Sequence, residues 1–172
     1  MSNSFINKLK SRVSCRSYSD KKVSLGKINE IIDAGKSAPS AVNRQIGAIT
    51  CVRRKNVLES LRKLSNDTLN RDVMYGANTI MLVHAPREDK FCVQDCSCIL
   101  ENIFLAATAL KIDSCWINQF DDLLSTDAGL KIKKKLGIPM ENRIVGSAIL
   151  GYRKDGESLA VKSKEGIKVT II

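Results

Sequence analysis

Apolar positions recur along the chain with two periods, and these divide it into elements. Phe5, Ile6 and Leu9 share a helical face within residues 3–12. Ser24 stands as a cap before Leu25, Ile28, Ile31, Ile32 and Ala34, a second amphipathic helix that Gly35 and Pro39 end. Residues 47–54 predict a strand and Val57–Leu69 a third amphipathic helix. A second strand is predicted over Asn78–Ala85, stopped by Pro86. Asp95 is read as the cap of the longest helix, which runs to about Lys111. From Ile99 through Leu110 that helix is apolar almost all round, which places it inside a domain or between subunits.

Ser114–Phe120 predicts a third strand, residues 126–136 a lysine-rich helix closed by Gly137 and Pro139, and Arg143–Tyr152 the fourth main strand. Lys168–Ile172 predicts a short terminal strand beyond the polar stretch 153–166. The order ααβαβαβαβ plus a final strand describes a mixed α/β or α+β sheet domain. A terminal strand set apart in this way needs a sheet edge to join, a partner's among the choices.

The length, 172 residues, predicts one domain over 1–172 with room for a core. No apolar run approaches a membrane span, and the first residues lack a basic segment followed by an apolar one. The expectation is a cytoplasmic protein that does not enter a membrane, with its six cysteines reduced. Cys92, Cys96 and Cys98 lie close together, but their spacing is not that of a zinc ribbon. His84 is the only histidine, so no metal site is expected; it ends an apolar strand and reads as a satisfied core or edge residue. Net charge is +10, which suits an anionic cofactor, nucleic acid or an acidic partner, and equally a plain solubilising surface. Aromatics make up only 5% and do not interleave with the lysines, so nucleic acid is not the expected partner.

Several nucleotide-site signals fail. Gly35-Lys36-Ser37 resembles the end of a P-loop, but Glu30 stands where the pattern needs glycine. The dinucleotide glycine fingerprint is absent as well. Three polar clusters survive. Arg12 and Arg16 flank Ser14 and would share a face on a helical turn, either gripping a phosphate or simply solvated. Pro39-Ser40-Ala41-Val42-Asn43-Arg44-Gln45 offers amides and a hydroxyl that suit a flat heterocycle, or is an ordinary wet loop. Ser114 to Asp121 carries the only tryptophan, Trp116, on a strand that lines a flat cofactor or packs into the core.

Together, and in this order, the three clusters and the strand end Ile149-Leu150-Gly151-Tyr152 resemble the nitroreductase family of FMN-dependent oxidoreductases over nearly the whole chain. The resemblance implies an α+β fold whose central, mostly antiparallel sheet is flanked by helices. It implies an obligate homodimer with FMN at the interface, the apolar helix between subunits and the C-terminal strand exchanged with the partner. Arg12, Ser14 and Arg16 would hold the phosphate end, joined by Lys162 and Lys164. Pro39, Ser40, Asn43 and Gln45 would reach the flavin of the other subunit. Trp116, Ile117 and Asn118 would present backbone groups to the ring, Asn70 its pyrimidine edge, and Gly151 counts with these cofactor-binding positions.

The implied reaction carries hydride from NAD(P)H through flavin to a nitroaromatic, quinone or similar small-molecule acceptor, in ping-pong order. No protein acid or base is implied, because flavin N5 carries the chemistry. A non-catalytic flavoprotein that stores FMN or senses redox state is the alternative, and a basic nucleic-acid module a more distant one. The family's loop usually continues Gln-Pro-Trp where this chain has Gln45-Ile46-Gly47, which implies that a bulky aromatic near the flavin is absent and substrate stacking differs; the chain also lacks the long helical insertions of larger members and resembles a minimal version with a more open pocket. Asn118-Gln119 likewise replaces an acid-glycine pair seen in some members.

Overall fold

A computed structural model describes residues 4–161 and 166–172 of the chain. Its elements are α1 (Ser4–Ser11), α2 (Leu25–Lys36), β1 (Ala48–Val52), α3 (Lys55–Leu69), β2 (Thr79–Pro86), α4 (Cys92–Ala109), β3 (Asp113–Ile117), α5 (Phe120–Leu123), α6 (Asp127–Lys135) and β4 (Asn142–Gly151). The strands form one antiparallel sheet in the order β1-β2-β4-β3. The α+β expectation is met, with helices on both faces of that sheet.

Period-two alternation along the central strands divides the core. Ile80 and Leu82 of β2, with Ile144 and Ile149 of β4, pack beneath α3, α5 and the turn after α6. Met81 and Val83, with Val145, Ala148 and Leu150, face α2 and α4. A register shift between Val83 and His84 in the β2–β4 pairing places one extra β4 residue there and reverses the alternation of β4, so Ile144 and Ile149, an odd number of positions apart, lie on the same face. Both central strands are buried on both sides, which is why they read as continuous apolar runs.

Four expectations change in detail. The long helix starts at Cys92, so Asp95 lies in its first turn and is not its cap. The strand read over Ser114–Phe120 stops at Ile117, because the Asn118 N–H donates to the Gln119 side chain (3.1 Å) and Phe120 opens α5 as a core residue. Helix α4 does have a partly wet side, with Val93, Cys98 and Glu101 exposed, while Leu100, Ile103, Phe104 and Ala107 are buried. Finally, residues 168–172 form no strand within one protomer, and Ile167, Val169, Ile171 and Ile172 are exposed. A strand there requires an edge that this protomer's own tail does not reach.

Gly146 shows how tightly β4 is approached. A Cβ at this position would fall 2.7 Å from two ring atoms of Trp116 and 2.8 Å from Leu100 Cδ1. Gly146→Ala is expected to lower stability by about 1–3 kcal/mol through overpacking. Urea titration followed by Trp116 fluorescence checks it, with a shifted emission maximum as the ring leaves the sheet.

Candidate active site

The arginine cluster is not helical. Helix α1 ends at Ser11, and residues 12–16 run extended along the outer edge of β3. Ser14 bridges Ser114 in parallel, and the Cys15 N–H donates to the Ser114 carbonyl at 2.9 Å. In an extended segment, positions i, i+2 and i+4 share a side. Arg12, Ser14 and Arg16 therefore face together through strand periodicity, where the spacing had been read as one helical turn.

Their common target is Cys115. Burial pushes its thiol above the ordinary value, and Arg16, the Ser14 hydroxyl and Arg12 all pull it down. Three side chains that act on one thiol sit around one small region. Among the described residues, neither Arg12 nor Arg16 has a carboxylate in ion-pair range, a property shared with Arg53, Arg54 and Arg71, while Arg44, Arg62, Arg87, Arg143 and Arg153 are paired. Arg12 lies 6.0 Å over the Phe104 ring, and Phe104 lies 5.8 Å from Trp116 at 33°. Trp116 remains 37% exposed, so this aromatic ladder leads from the guanidinium to an open indole face.

Behind this region the thiols are inert by environment. Cys15 is buried and its pKa is raised, chiefly by desolvation. Tyr18, buried against both thiols, has its hydroxyl pushed well above the ordinary range, mainly by desolvation. The Asp113 carboxylate accepts from the Arg153 guanidinium (2.6 and 3.0 Å) and from the Arg153 backbone N–H (3.0 Å), tying the start of β3 to the end of β4.

The loop that carries the second cluster is bent hard. Val42, Asn43 and Gln45 all adopt left-handed backbone conformations, with φ of 45°, 56° and 54°. Such conformations are costly for side chains branched at Cβ, and valine is the least tolerant of the three. Four hydrogen bonds made by side chains hold the loop, besides its own backbone turns. Ser40 Oγ accepts from the Gln45 N–H (3.0 Å), and Gln45 Nε2 donates to Asn43 Oδ1 (3.2 Å). Asp95 Oδ1 accepts from the Ala41 N–H (3.0 Å), and Arg44 pairs with Asp89 (2.8 Å). That pairing, with the Phe91 N–H, holds the Asp89 carboxyl below the usual range. Pro39, Asn43 and Gln45 are exposed, and Ser40 is half-buried.

The remaining positions are scattered. Asn70 ends α3 in the left-handed conformation and is exposed. Ile117 is buried in the core beneath the sheet, while Asn118 is exposed at the end of β3. Gly151 is buried, and a Cβ there would meet the Tyr18 ring at 2.8 Å, which accounts for glycine by packing. Lys162 and Lys164 lie outside the described residues. No hydrogen bond or ion pair among the described residues joins the 38–45 loop to the 12–16 segment. Asp95, Asp89 and Phe104 were not singled out as site residues. Their contacts with the loop or the arginines span many positions, so spacing carries no sign of them.

A sequence profile described as "Nitroreductase family" matches residues 9–71 and 53–152. The chain belongs to the nitroreductase family. By class it is therefore an oxidoreductase. An Archaeoglobus fulgidus protein named "Putative NADH dehydrogenase/NAD(P)H nitroreductase" is 37% identical over 150 residues, covering 84% of this chain and 82% of the relative. A Bacteroides fragilis nitroreductase solved with bound FMN superposes with a TM-score of 0.91 at 29% identity, over 99% of this chain and 100% of that one. A Desulfitobacterium hafniense nitroreductase shares the fold, with a TM-score of 0.84 at 24% identity over 99% and 100% of the two chains. Among the described residues no helix is long and apolar enough to cross a membrane. No group of three or more His, Cys, Asp or Glu residues there is placed to hold a metal ion.

Proposed function

We propose that this nitroreductase binds FMN and passes hydride from NAD(P)H to a nitroaromatic, quinone or similar small-molecule acceptor, the two reactants using one site in turn. The observation that carries the reading is the convergence of Arg12, Ser14 and Arg16 beside β3, with neither guanidinium in ion-pair range of a carboxylate among the described residues. Two unpaired guanidinium groups and a hydroxyl fit a phosphate monoester. The half-exposed Trp116 at the end of the same ladder fits a flat ring system. FMN would thus meet Arg12, Ser14 and Arg16 at its phosphate; Lys162 and Lys164, outside the described residues, are proposed for the same end by the family resemblance alone. Trp116 and the backbone of Ile117 and Asn118 at the end of β3 would lie toward its ring, with the exposed Asn70 at its pyrimidine edge. When bound, the flavin supplies the hydride chemistry. This chain's residues bind and orient it, and the clustered positive charge favours the anionic ligand.

Pro39, Asn43 and Gln45 are exposed within one protomer and Ser40 is half-buried, which suits a role of this loop toward the flavin of a neighbouring subunit. We read the chain as a single domain over 1–172 that functions as a cytoplasmic homodimer. All six cysteines are free, in keeping with a reducing compartment. Strand β1 is an edge of the sheet, and a groove of about 500 Å³ runs beside it, lined by Leu25, Ile28, Ile32, Val52 and Val57 among others. The exposed Ile167, Val169 and Ile171 alternate as a strand requires, so the partner's tail would add to this edge. Removing residues 167–172 is expected to shift the protein from dimer toward monomer and to lower its flavin content, as light scattering after size exclusion and absorbance would show.

Steady-state oxidation of NADH and NADPH with menadione or nitrofurazone tests the activity. Turnover with either nucleotide is the expected result. Bound flavin that neither nucleotide reduces would instead support a storage or sensing role.

A further inference from the structure

The outer edge of β3 ends in a backbone donor that a neighbouring side chain holds. Successive strand residues turn their N–H and C=O groups to alternate edges. The Ser114 carbonyl is turned outward, since it accepts from the Cys15 N–H at 2.9 Å. By the same alternation the Trp116 and Asn118 N–H groups point to that outer edge, away from β4. The Asn118 N–H thus opens on the edge along which residues 12–16 run.

Gln119 takes this donor. The Asn118 N–H donates to Gln119 Oε1 at 3.1 Å. The main chain at 119 is anchored. It lies in the right-handed region, with φ of −71° and ψ of −13°, its carbonyl accepts from the Leu123 N–H at 3.0 Å, and the next residue, Phe120, is buried in the core. The side chain is tied down far less. It is half-buried, makes no capping bond to α5, and among the described residues hydrogen-bonds only to Asn118. Releasing Asn118 therefore breaks one hydrogen bond and no other.

We propose that Gln119 is a positioning residue for the cofactor: its side-chain oxygen competes with the flavin ring for the Asn118 N–H and so sets how tightly the ring is held. The inference rests on the flavin reading above, in which the backbone at Asn118 lies toward the ring. An oxidised isoalloxazine carries ring nitrogens and carbonyl oxygens that accept from such a donor. One N–H makes one well-aligned bond, so Gln119 Oε1 and a ring acceptor exclude each other. Binding the ring gives up the bond to Gln119, and the net worth of that bond is lost from the affinity. A glycine at this position would offer no competitor, so the effect belongs to the Asn118-Gln119 pair of this chain.

Fluorescence titration of the full-length protein, freed of flavin by dialysis, with FMN and with riboflavin tests it. Gln119→Ala and Gln119→Met both remove the acceptor, the second while keeping most of the side chain's length. Each is expected to bind FMN about 2–10-fold tighter than wild type. Riboflavin should gain by the same factor, because the competition is at the ring and not at the phosphate. Gln119→Glu keeps an acceptor and is expected to show no gain with either ligand. The proposal is overturned if Gln119→Ala and Gln119→Met bind FMN at wild-type strength or weaker, or if Gln119→Glu gains as much as they do. It is equally overturned if only Gln119→Ala gains, which assigns the effect to bulk, or if the gain is confined to FMN. Those results leave the flavin reading standing, whereas a wild-type protein that binds neither ligand overturns both. Should Gln119→Ala or Gln119→Met fail to fold, the other decides against Gln119→Glu.

Discussion

Arg16→Ala protein is expected to purify with little bound FMN, and Arg12→Ala/Arg16→Ala with none detectable. The reasoning begins with burial and pairing. The segment from 12 to 16 is anchored to β3 through backbone, by the Ser14–Ser114 bridge and the Cys15 N–H, so an alanine at 16 leaves its path intact. Arg16 is exposed and has no carboxylate partner among the described residues. Its removal therefore exposes no orphaned acid and should barely change stability. Under the proposed role it removes a charge-assisted contact to phosphate, worth about 1.5–3 kcal/mol, or roughly 10–100-fold in flavin affinity. Flavin absorbance per protein, with fluorescence titration of added FMN, measures the loss. A flavin content equal to wild type would refute the assigned role. Arg16→Lys should recover part of the affinity, since a point charge replaces a bidentate fork.

Acid is expected to destabilise the protein between about pH 6.5 and 4 through one buried histidine. His84 is 4% exposed at the β2–β4 pairing. Nδ1 accepts from Asn142 Nδ2 at 2.8 Å, which leaves Nε2–H to donate to Thr50 Oγ1 at 3.0 Å. A second proton would set Nδ1–H against the Asn142 amide donor. Burial, and then the charge of Lys133, lower its pKa from 6.5 to about 4. Lys133 is itself buried, donating to the Met140 and Asn142 carbonyls at 3.0 and 2.5 Å. The folded pKa lies below the unfolded one, so the unfolded chain binds more protons throughout that window. Stability is therefore fully present above pH 6.5 and falls as pH drops toward 4, by about 3 kcal/mol in all. Urea midpoints measured across that range should show the slope in wild type. His84→Gln should lack it there, at the cost of a lower midpoint at neutral pH.

The elements were largely legible because they bury one face each. Alternation in β2 and β4 and the helical period of α2 and α3 survive any packing that keeps those faces inside. The misreadings fall at ends and edges. Asp95 carries the residue type and position of a cap, yet its carboxylate is spent on the Ala41 N–H, 54 residues away in sequence. The spacing of Arg12 and Arg16 satisfies both a helical turn and an extended run. Only the β3 edge, which pairs with Ser14, selects the second. The tail from 167 to 172 has a strand's composition, but a strand is a pairing relation, and within one protomer the tail pairs with none.

From the chain alone came the four strands of the sheet and every helix but the short α5, the placing of a phosphate-type grip near the N-terminus and a polar loop after α2, and the family those motifs resemble. These are local properties, set by periodicity and residue chemistry over a few positions. Three features came only from tertiary structure: the alignment of Arg12, Ser14 and Arg16 along β3, the aromatic ladder from Phe104 to Trp116, and the bond from the Ala41 N–H to Asp95. Each depends on contacts between segments far apart in sequence, whose geometry is set by how the helices pack on the sheet and by no pattern within either segment.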